Sequence, residues 1–153
     1  MANKKQSIVI ENRKARHDYH IEDLVTCGIV LTGTEVKSIR AGKAQLKDSF
    51  AKIENGEAWL YNCHISPYQY GNRFNHNPLR RRKLLLKKKE ILKLYGKTKE
   101  KNLVLIPLKI FFSNNWAKLE LALAKSKKIY DKREAIKKKE LQRTIKEIKS
   151  KYK

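Results

Sequence analysis

Acidic residues are scarce in this chain: 15 Asp and Glu stand against 37 Lys and Arg in 153 residues, a formal net charge of +22. A self-repelling charge of that size destabilises a compact state unless an anionic partner offsets it, and phosphate backbones or anionic membrane surfaces are the natural partners. Long apolar runs are missing too. The longest, Leu103–Ile106, stops at Pro107, and Lys109 interrupts the apolar residues beyond it. A spanning helix needs about 20 mostly apolar residues, so no membrane partner is expected. No apolar segment comes after the polar, basic Met1–Gln6, so no secretory signal is expected either.

Cysteine is almost absent. Cys27 and Cys63 lie far apart, with no CxxC and no His–Cys cluster, which argues against a disulfide framework or zinc site and for two buried free thiols in a reducing cytoplasm. The signatures of catalysis are missing as well. There is no Gly-rich phosphate loop followed by Lys-Ser/Thr and no nucleophile elbow. His17-x-x-His20 lacks the further ligands zinc requires, and His64 and His76 read as surface or core residues. The acids Asp18, Glu22 and Asp23 lie near a basic segment and read as groups that orient its cations. The expectation is no catalytic residue, no metal, no cofactor and no enzymatic activity.

What is present is one domain's length of chain in three zones: a basic leader at residues 1–7, a patterned body at 8–126 and a basic extension at 127–153. The clearest local signal is Asn55-Gly56 between strand-like runs, because a tight type I′ turn demands positive φ at both central positions. After it, Trp59, Tyr61, Cys63 and Ile65 alternate with Ala58, Leu60, Asn62 and His64, which predicts a strand with the first set as its apolar face. A second hairpin is expected between Leu103–Phe112 and Trp116–Ala124 through Ser113-Asn114-Asn115, with short strands at Ile8–Glu11 and Ile29–Leu31. Helices are expected over Thr34–Ala41, capped by Thr34 and closed at Gly42, and over Leu84–Tyr95, ending at Gly96. The fold class is therefore mainly β: a small antiparallel oligonucleotide-binding-like β-barrel with accessory helices and a basic C-terminal tail.

The extension carries 13 Lys and Arg against 4 Asp and Glu from Lys125 to Lys153. Asp131 and Glu134 have the spacing of a capping box, and Leu141, Ile145, Ile148 and Tyr152 recur as one helical stripe. With little apolar surface and strong self-repulsion, the segment is expected to be disordered alone and helical against an anionic surface. The densest basic block, Arg80-Arg81-Arg82-Lys83 continued by Lys87-Lys88-Lys89, reads as phosphate-tracking. Aromatics lie among the cations at Tyr19, Tyr68, Tyr70, Phe74, Trp116 and Tyr130. Tyr19 and Tyr130 are the candidates for stacking on RNA bases, whereas Trp59 and Phe112 read as core. Charge alone leaves open a ribosomal-RNA-binding protein or an architectural DNA binder beside a dedicated RNA factor.

Four strings narrow the choice: Asn12-Arg13-Lys14-Ala15-Arg16-His17-Asp18-Tyr19, Gly28-Ile29-Val30-Leu31-Thr32-Gly33-Thr34-Glu35-Val36-Lys37-Ser38, Arg82-Lys83-Leu84-Leu85-Leu86 and Tyr130-Asp131-Lys132-Arg133. In this order and at these spacings the chain resembles the small protein B (SsrA-binding protein) family from about Ile10 to its end. The resemblance implies a cytoplasmic, bacterial RNA-binding factor of trans-translation. Such a factor holds the tRNA-like part of transfer-messenger RNA, one copy of protein per RNA, and delivers it to stalled ribosomes. There it stands in for the codon–anticodon region at the small-subunit decoding centre, and its tail folds along the empty mRNA channel, so that the nascent chain is tagged for degradation and the ribosome freed.

Carried over by position, the resemblance implies RNA contact at Tyr19, Leu85 and Lys118, with Thr26 and the motif residues Arg13, Arg16 and His17 on the same RNA-binding surface. It implies a ribosomal role for Tyr130, Asp131, Lys132 and Arg133, with Lys137 and Lys138 in the tail. Two positions depart from the family pattern. Thr26 stands where a Glu is common, and Ser126 stands where a Gly usually precedes the Lys-Lys pair.

Overall fold

The computed structural model describes residues 7–71 and 75–151, with side chains over 9–71, 75–127 and 137–150. Among the described residues, nine strands and four helices follow in the order β1 (Ser7–Glu11), α1 (Ala15–Asp18), β2 (Tyr19–Ile29), α2 (Gly33–Arg40), β3 (Ala44–Gln45), β4 (Phe50–Glu54), β5 (Glu57–Tyr61), β6 (His64–Ile65), β7 (Arg82–Leu85), α3 (Lys88–Lys101), β8 (Val104–Ser113), β9 (Trp116–Ser126) and α4 (Lys127–Lys151). The main sheet runs β1-β8-β4-β5-β7-β2-β9, and an additional β8–β9 pairing closes it into a barrel with β1 attached along β8. Every ladder is antiparallel. Closure pairs the edges of β2, β4, β5, β7, β8 and β9 and leaves the outer edge of β1, and the expected β-barrel is what forms.

Both predicted hairpins are present. Asn55 and Gly56 take φ of 51° and 75°, Asn114 and Asn115 take 50° and 67°, and these two-residue turns register Glu54 on Glu57 and Ser113 on Trp116. The barrel interior is lined by Leu60, Ile65, Leu84, Ile110, Leu119 and Leu121, each at most 1% exposed. Cys27 and Cys63 are buried free thiols in this core.

The apolar face of β5 is the opposite of the one expected. Ala58 and Leu60 point inward and are fully buried, while Trp59 and Tyr61 lie on the outer face. Asn62 at φ 60° then breaks the alternation, so Cys63 and Ile65 return to the core although their sequence parity matches Trp59. Period-2 reasoning fails wherever a left-handed residue resets the phase. Phe112, by contrast, is buried as expected.

The helix expected over Leu84–Tyr95 divides in two. Arg82 and Leu84 face inward and Leu85 outward, which makes β7 a strand; α3 starts at Lys88, passes through Gly96 and ends at Asn102 in the left-handed region, φ 55°. The α2 cap is Thr32, not Thr34: its side chain accepts from the Glu35 N–H while the Glu35 side chain accepts from the Thr32 N–H, a reciprocal capping box. The strand expected at Ile29–Leu31 is the end of the eleven-residue β2. Finally, α4 begins at Lys127, so Asp131 lies inside the helix and does not cap it.

Candidate nucleic-acid interface

Three of the expected RNA contacts meet on one outer surface. Gly28 on β2 is registered against Leu85 on β7 at one side and Lys118 on β9 at the other, so the three residues form one row across three strands. A Cβ at Gly28 would lie 3.3 Å from both Cβ and Cδ1 of Leu85, so the missing side chain lets Leu85 lean over β2. Leu85 is 55% exposed. The row floors a groove of about 760 Å³ lined also by Thr26, Lys83, Lys87 and α3 residues including Ile91. An apolar floor with lysines at its edge suits a nucleotide, with the base against Leu85 and phosphate near the ammonium groups.

Thr26 lies beside this row and pairs across β2–β9 with Glu120. A carboxylate therefore stands directly across the ladder from Thr26, on the neighbouring strand. Glu120 in turn gathers cations: Lys109 Nζ lies 3.4 Å and Arg16 Nη2 3.9 Å from its oxygens. Arg13 is almost fully exposed and sits 3.7 Å from Glu11. The Lys127 ammonium donates to the Arg16 carbonyl at 3.3 Å, which ties the start of α4 to the α1 segment.

Tyr19 is not with them. It opens β2, nine residues before Gly28, so the two stand toward opposite ends of the strand, at most about 30 Å apart and less with the bulge between Ile21 and Asp23. There it packs with Ile21 and Phe50 over Ile106, Ala122 and Ala124 on the outside of the barrel. His17, in the short helix just before it, is exposed and lies 3.1 Å from the Asp18 carboxylate. The structure therefore places Thr26, Leu85 and Lys118 on one groove, brings Arg16 beside it through Glu120, and leaves Tyr19 at the other end of β2.

The first half of the densest basic block, residues 80–83, has partners within the fold, whereas Lys87, Lys88 and Lys89 are exposed and the first two line the groove. Arg82 is fully buried: its guanidinium lies 2.5 Å from the buried Glu35 carboxylate and donates to the Cys63 carbonyl at 2.5 Å. Arg80 reaches the other Glu35 oxygen at 2.6 Å. Burial works to raise the Glu35 carboxyl, but hydrogen bonds from Arg80, the Thr32 N–H and Arg82, with the charge of Arg82, outweigh it and hold the group below its ordinary value. Arg81 stacks on Trp59, and Lys83 pairs with Glu57 at 2.6 Å. Nothing in the basic run itself distinguished a buried arginine from a free one. The only signal was strand parity, which places Arg82 with Leu84.

Among the described residues, no group of three His, Cys, Asp or Glu lies close enough to hold a metal. No helix among them is long and apolar enough to cross a membrane. The side chains of Tyr130, Asp131, Lys132 and Arg133 lie outside the described residues, as do residues 1–6 of the expected leader, Phe74 and Tyr152. Along the described part of α4, Lys137 and Lys138 are exposed, and so is the apolar stripe Leu141, Ile145 and Ile148.

Comparison with known proteins places these features in a lineage. The profile of a protein family described as SmpB protein matches residues 9–151. An SsrA-binding protein of Carboxydothermus hydrogenoformans is 61% identical over 148 residues, covering 96% of this chain and 99% of the relative. One from Desulforudis audaxviator is 61% identical over 145 residues, covering 95% of each chain. A chain in a solved structure described as "tmRNA-SmpB: a journey to the center of the bacterial ribosome" shares 51% identity at a TM-score of 0.67, over 79% of this chain and 85% of that one.

Proposed function

This chain belongs to the SmpB protein family, and from that premise we propose how its two basic parts divide the work of trans-translation. The protein is an RNA-binding factor that binds transfer-messenger RNA and acts with it on the bacterial ribosome. The observation that carries the reading is the Gly28–Leu85–Lys118 row: one apolar contact and one cation held in fixed register by three strands. A rigid barrel is suited to gripping a folded, tRNA-like RNA by shape and charge.

The tail serves the ribosome. α4 spans 25 residues, about 38 Å at 1.5 Å per residue, long enough to run down a groove that messenger RNA normally fills. Its own cations repel one another, so phosphates on both walls of such a groove favour the helix by offsetting that repulsion. Tyr130, Asp131, Lys132 and Arg133 enter this reading by position in the family motif, at the decoding-centre end, with Lys137 and Lys138 further along. The barrel occupies the place of the codon–anticodon region. The protein works in the cytoplasm, one copy per RNA, and its contribution is recognition and delivery, with no bond made or broken by its own side chains.

Matched-salt titrations of transfer-messenger RNA, ribosomal RNA fragments and duplex DNA test the reading. The expected result is a clear preference for the transfer-messenger RNA, with log affinity falling against log salt by about 0.7–0.9 per phosphate neutralised. Equal affinity for all three, or RNA cleavage by the purified protein, overturns it.

A further inference from the structure

The two separated ends of the expected RNA site, Leu85 and Tyr19, are connected around the outside of the barrel. Leu85 and Lys83 share the outer face of β7. Lys83 is registered on Trp59 of β5, and Trp59 on Lys52 of β4. The next rung on that face pairs Tyr61 with Phe50, their rings stacked at 5.5 Å with 15° between planes. Phe50 then lines the same hollow as Tyr19. Neighbouring strands lie about 4.8 Å apart, so this belt crosses three strands without a gap.

The rings of Trp59, Tyr61 and Phe50 lie near two cations, Arg81 and Lys52. The Arg81 guanidinium carbon lies 3.9 Å from the Trp59 ring centroid, and Lys52 Nζ lies 5.5 Å from Phe50 and 6.0 Å from Tyr61. Arg81 is anchored at its edge: Nη1 donates to the Tyr61 hydroxyl at 3.4 Å and lies 3.7 Å from Glu54. Tyr61 in turn donates to Glu54 at 2.5 Å. The two acids on this face, Glu54 and Glu57, are each paired, with Arg81 and with Lys83. Arg81 lies against the indole while half of its side chain remains exposed. A flat cation backed by an aromatic ring is a stacking surface for a nucleobase, and its charge favours the adjoining phosphate. Paired RNA hides its base faces in the helix stack, so the surface fits unpaired nucleotides.

We propose that the outer face of β4, β5 and β7 is a stacking platform for unpaired nucleotides of the same transfer-messenger RNA that fills the groove, with a base on the open face of Arg81 above Trp59. The inference rests on the RNA-binding reading above and extends it from Leu85 toward Tyr19.

Arg81→Lys tests it, because it keeps the charge and removes the plane. In the full chain, Arg81→Lys and Trp59→Leu should each weaken binding of transfer-messenger RNA by about tenfold, the scale of one lost base stack. The Arg81→Lys salt slope and its affinity for a fully paired RNA duplex should match the parent. Transfer-messenger RNA binding within twofold of the parent for Arg81→Lys overturns the platform, as does an equal loss on the duplex. A loss confined to ribosomal RNA fragments overturns the choice of RNA. If Trp59→Leu lowers the melting temperature, the half-exposed Arg81→Lys alone decides. Lys118→Ala separates the two levels: a loss there with none at Arg81 leaves the groove reading standing and removes the platform.

Discussion

Glu35 and Arg82 form an ion pair at 2.5 Å with both side chains fully buried. The pair fastens α2 to the start of β7, three residues before Leu85, so a wall of the proposed RNA groove is held by a buried ion pair. The Glu35 carboxylate is also met by Arg80 and the Thr32 N–H, and Arg82 by the Cys63 carbonyl. Removing one partner leaves the other charged and buried, so Glu35→Ala or Arg82→Ala should cost about 3–5 kcal/mol, read by urea unfolding. The folded-state carboxyl is held below its ordinary value near 4.5. The stability it contributes is therefore complete above that value and is lost as pH falls through it toward the lowered one. The gap between parent and Glu35→Gln should narrow from pH 7 to pH 3; a constant gap contradicts the linkage.

Gly28 yields a second expectation. Its φ does not demand glycine, but any side chain there meets Leu85 at 3.3 Å. Leu85 is exposed and can swing outward, so Gly28→Val should leave stability within about 1 kcal/mol of the parent, as a surface change does. Affinity for transfer-messenger RNA should nonetheless fall as far as in Leu85→Ala. Unchanged affinity in both removes the Leu85 row from the interface.

Thr26 faces Glu120 across the β2–β9 ladder, which makes the local departure from the family pattern testable. Thr26→Glu places two carboxylates directly opposite, where like charges cost about 0.2–1 kcal/mol. Combining it with Glu120→Gln should recover that loss in a double-mutant cycle. Additive single effects would mean that the two positions do not sense each other.

The fold and the interface were legible in the sequence to different degrees, according to the kind of signal each feature leaves. Asn55-Gly56 and Asn114-Asn115 are residue types that tolerate the positive φ a tight turn demands, so both hairpins could be read directly. The phase of β5 could not, because Asn62 resets it through a backbone angle that composition does not display. The β7–α3 boundary was hidden for a related reason: Leu84, Leu85, Ile91 and Leu92 satisfy a helical spacing while Leu84 and Leu85 point to opposite sides of a strand. Burial of Arg82 depends on Glu35, 47 residues away, and a basic run gives no hint of a distant acid. Leu85, Lys118 and Thr26 came from the family resemblance, and only the strand register shows why they form one surface and Tyr19 another.

The two thiols offer an independent check on the barrel. Burial pushes Cys27 up to about 12 and Cys63 up to about 11, against an ordinary value of 9.0. The thiolate is the reactive form, so both should resist alkylation at pH 8 in the folded protein and react together on unfolding in urea. Raised folded-state values also mean that the neutral thiols are favoured in the barrel. Stability should therefore decline as pH rises past 9, where the unfolded chain releases these protons first. Rapid labelling of either cysteine without denaturant contradicts the packing of the core.

The division between barrel and tail gives the last expectation. The groove residues Thr26, Leu85 and Lys118 all lie before Ser126, and α4 leaves the barrel with its described side chains from Lys137 to Ser150 exposed. Truncation after Lys128 removes α4 but keeps Lys127, whose ammonium contacts the Arg16 carbonyl. Binding of transfer-messenger RNA should therefore remain within about twofold of the parent, with a shallower salt slope from the lost cations. Tagging of nascent chains on stalled ribosomes should be abolished in a reconstituted reaction, because the truncation removes Tyr130–Arg133 and the ten Lys and Arg residues that follow Lys128. Lys118→Ala should show the opposite pattern, weak RNA binding with tagging restored at high protein concentration. A truncated protein that binds poorly, or that still tags, would mean that the tail and the barrel do not divide the task as their separation in the fold implies.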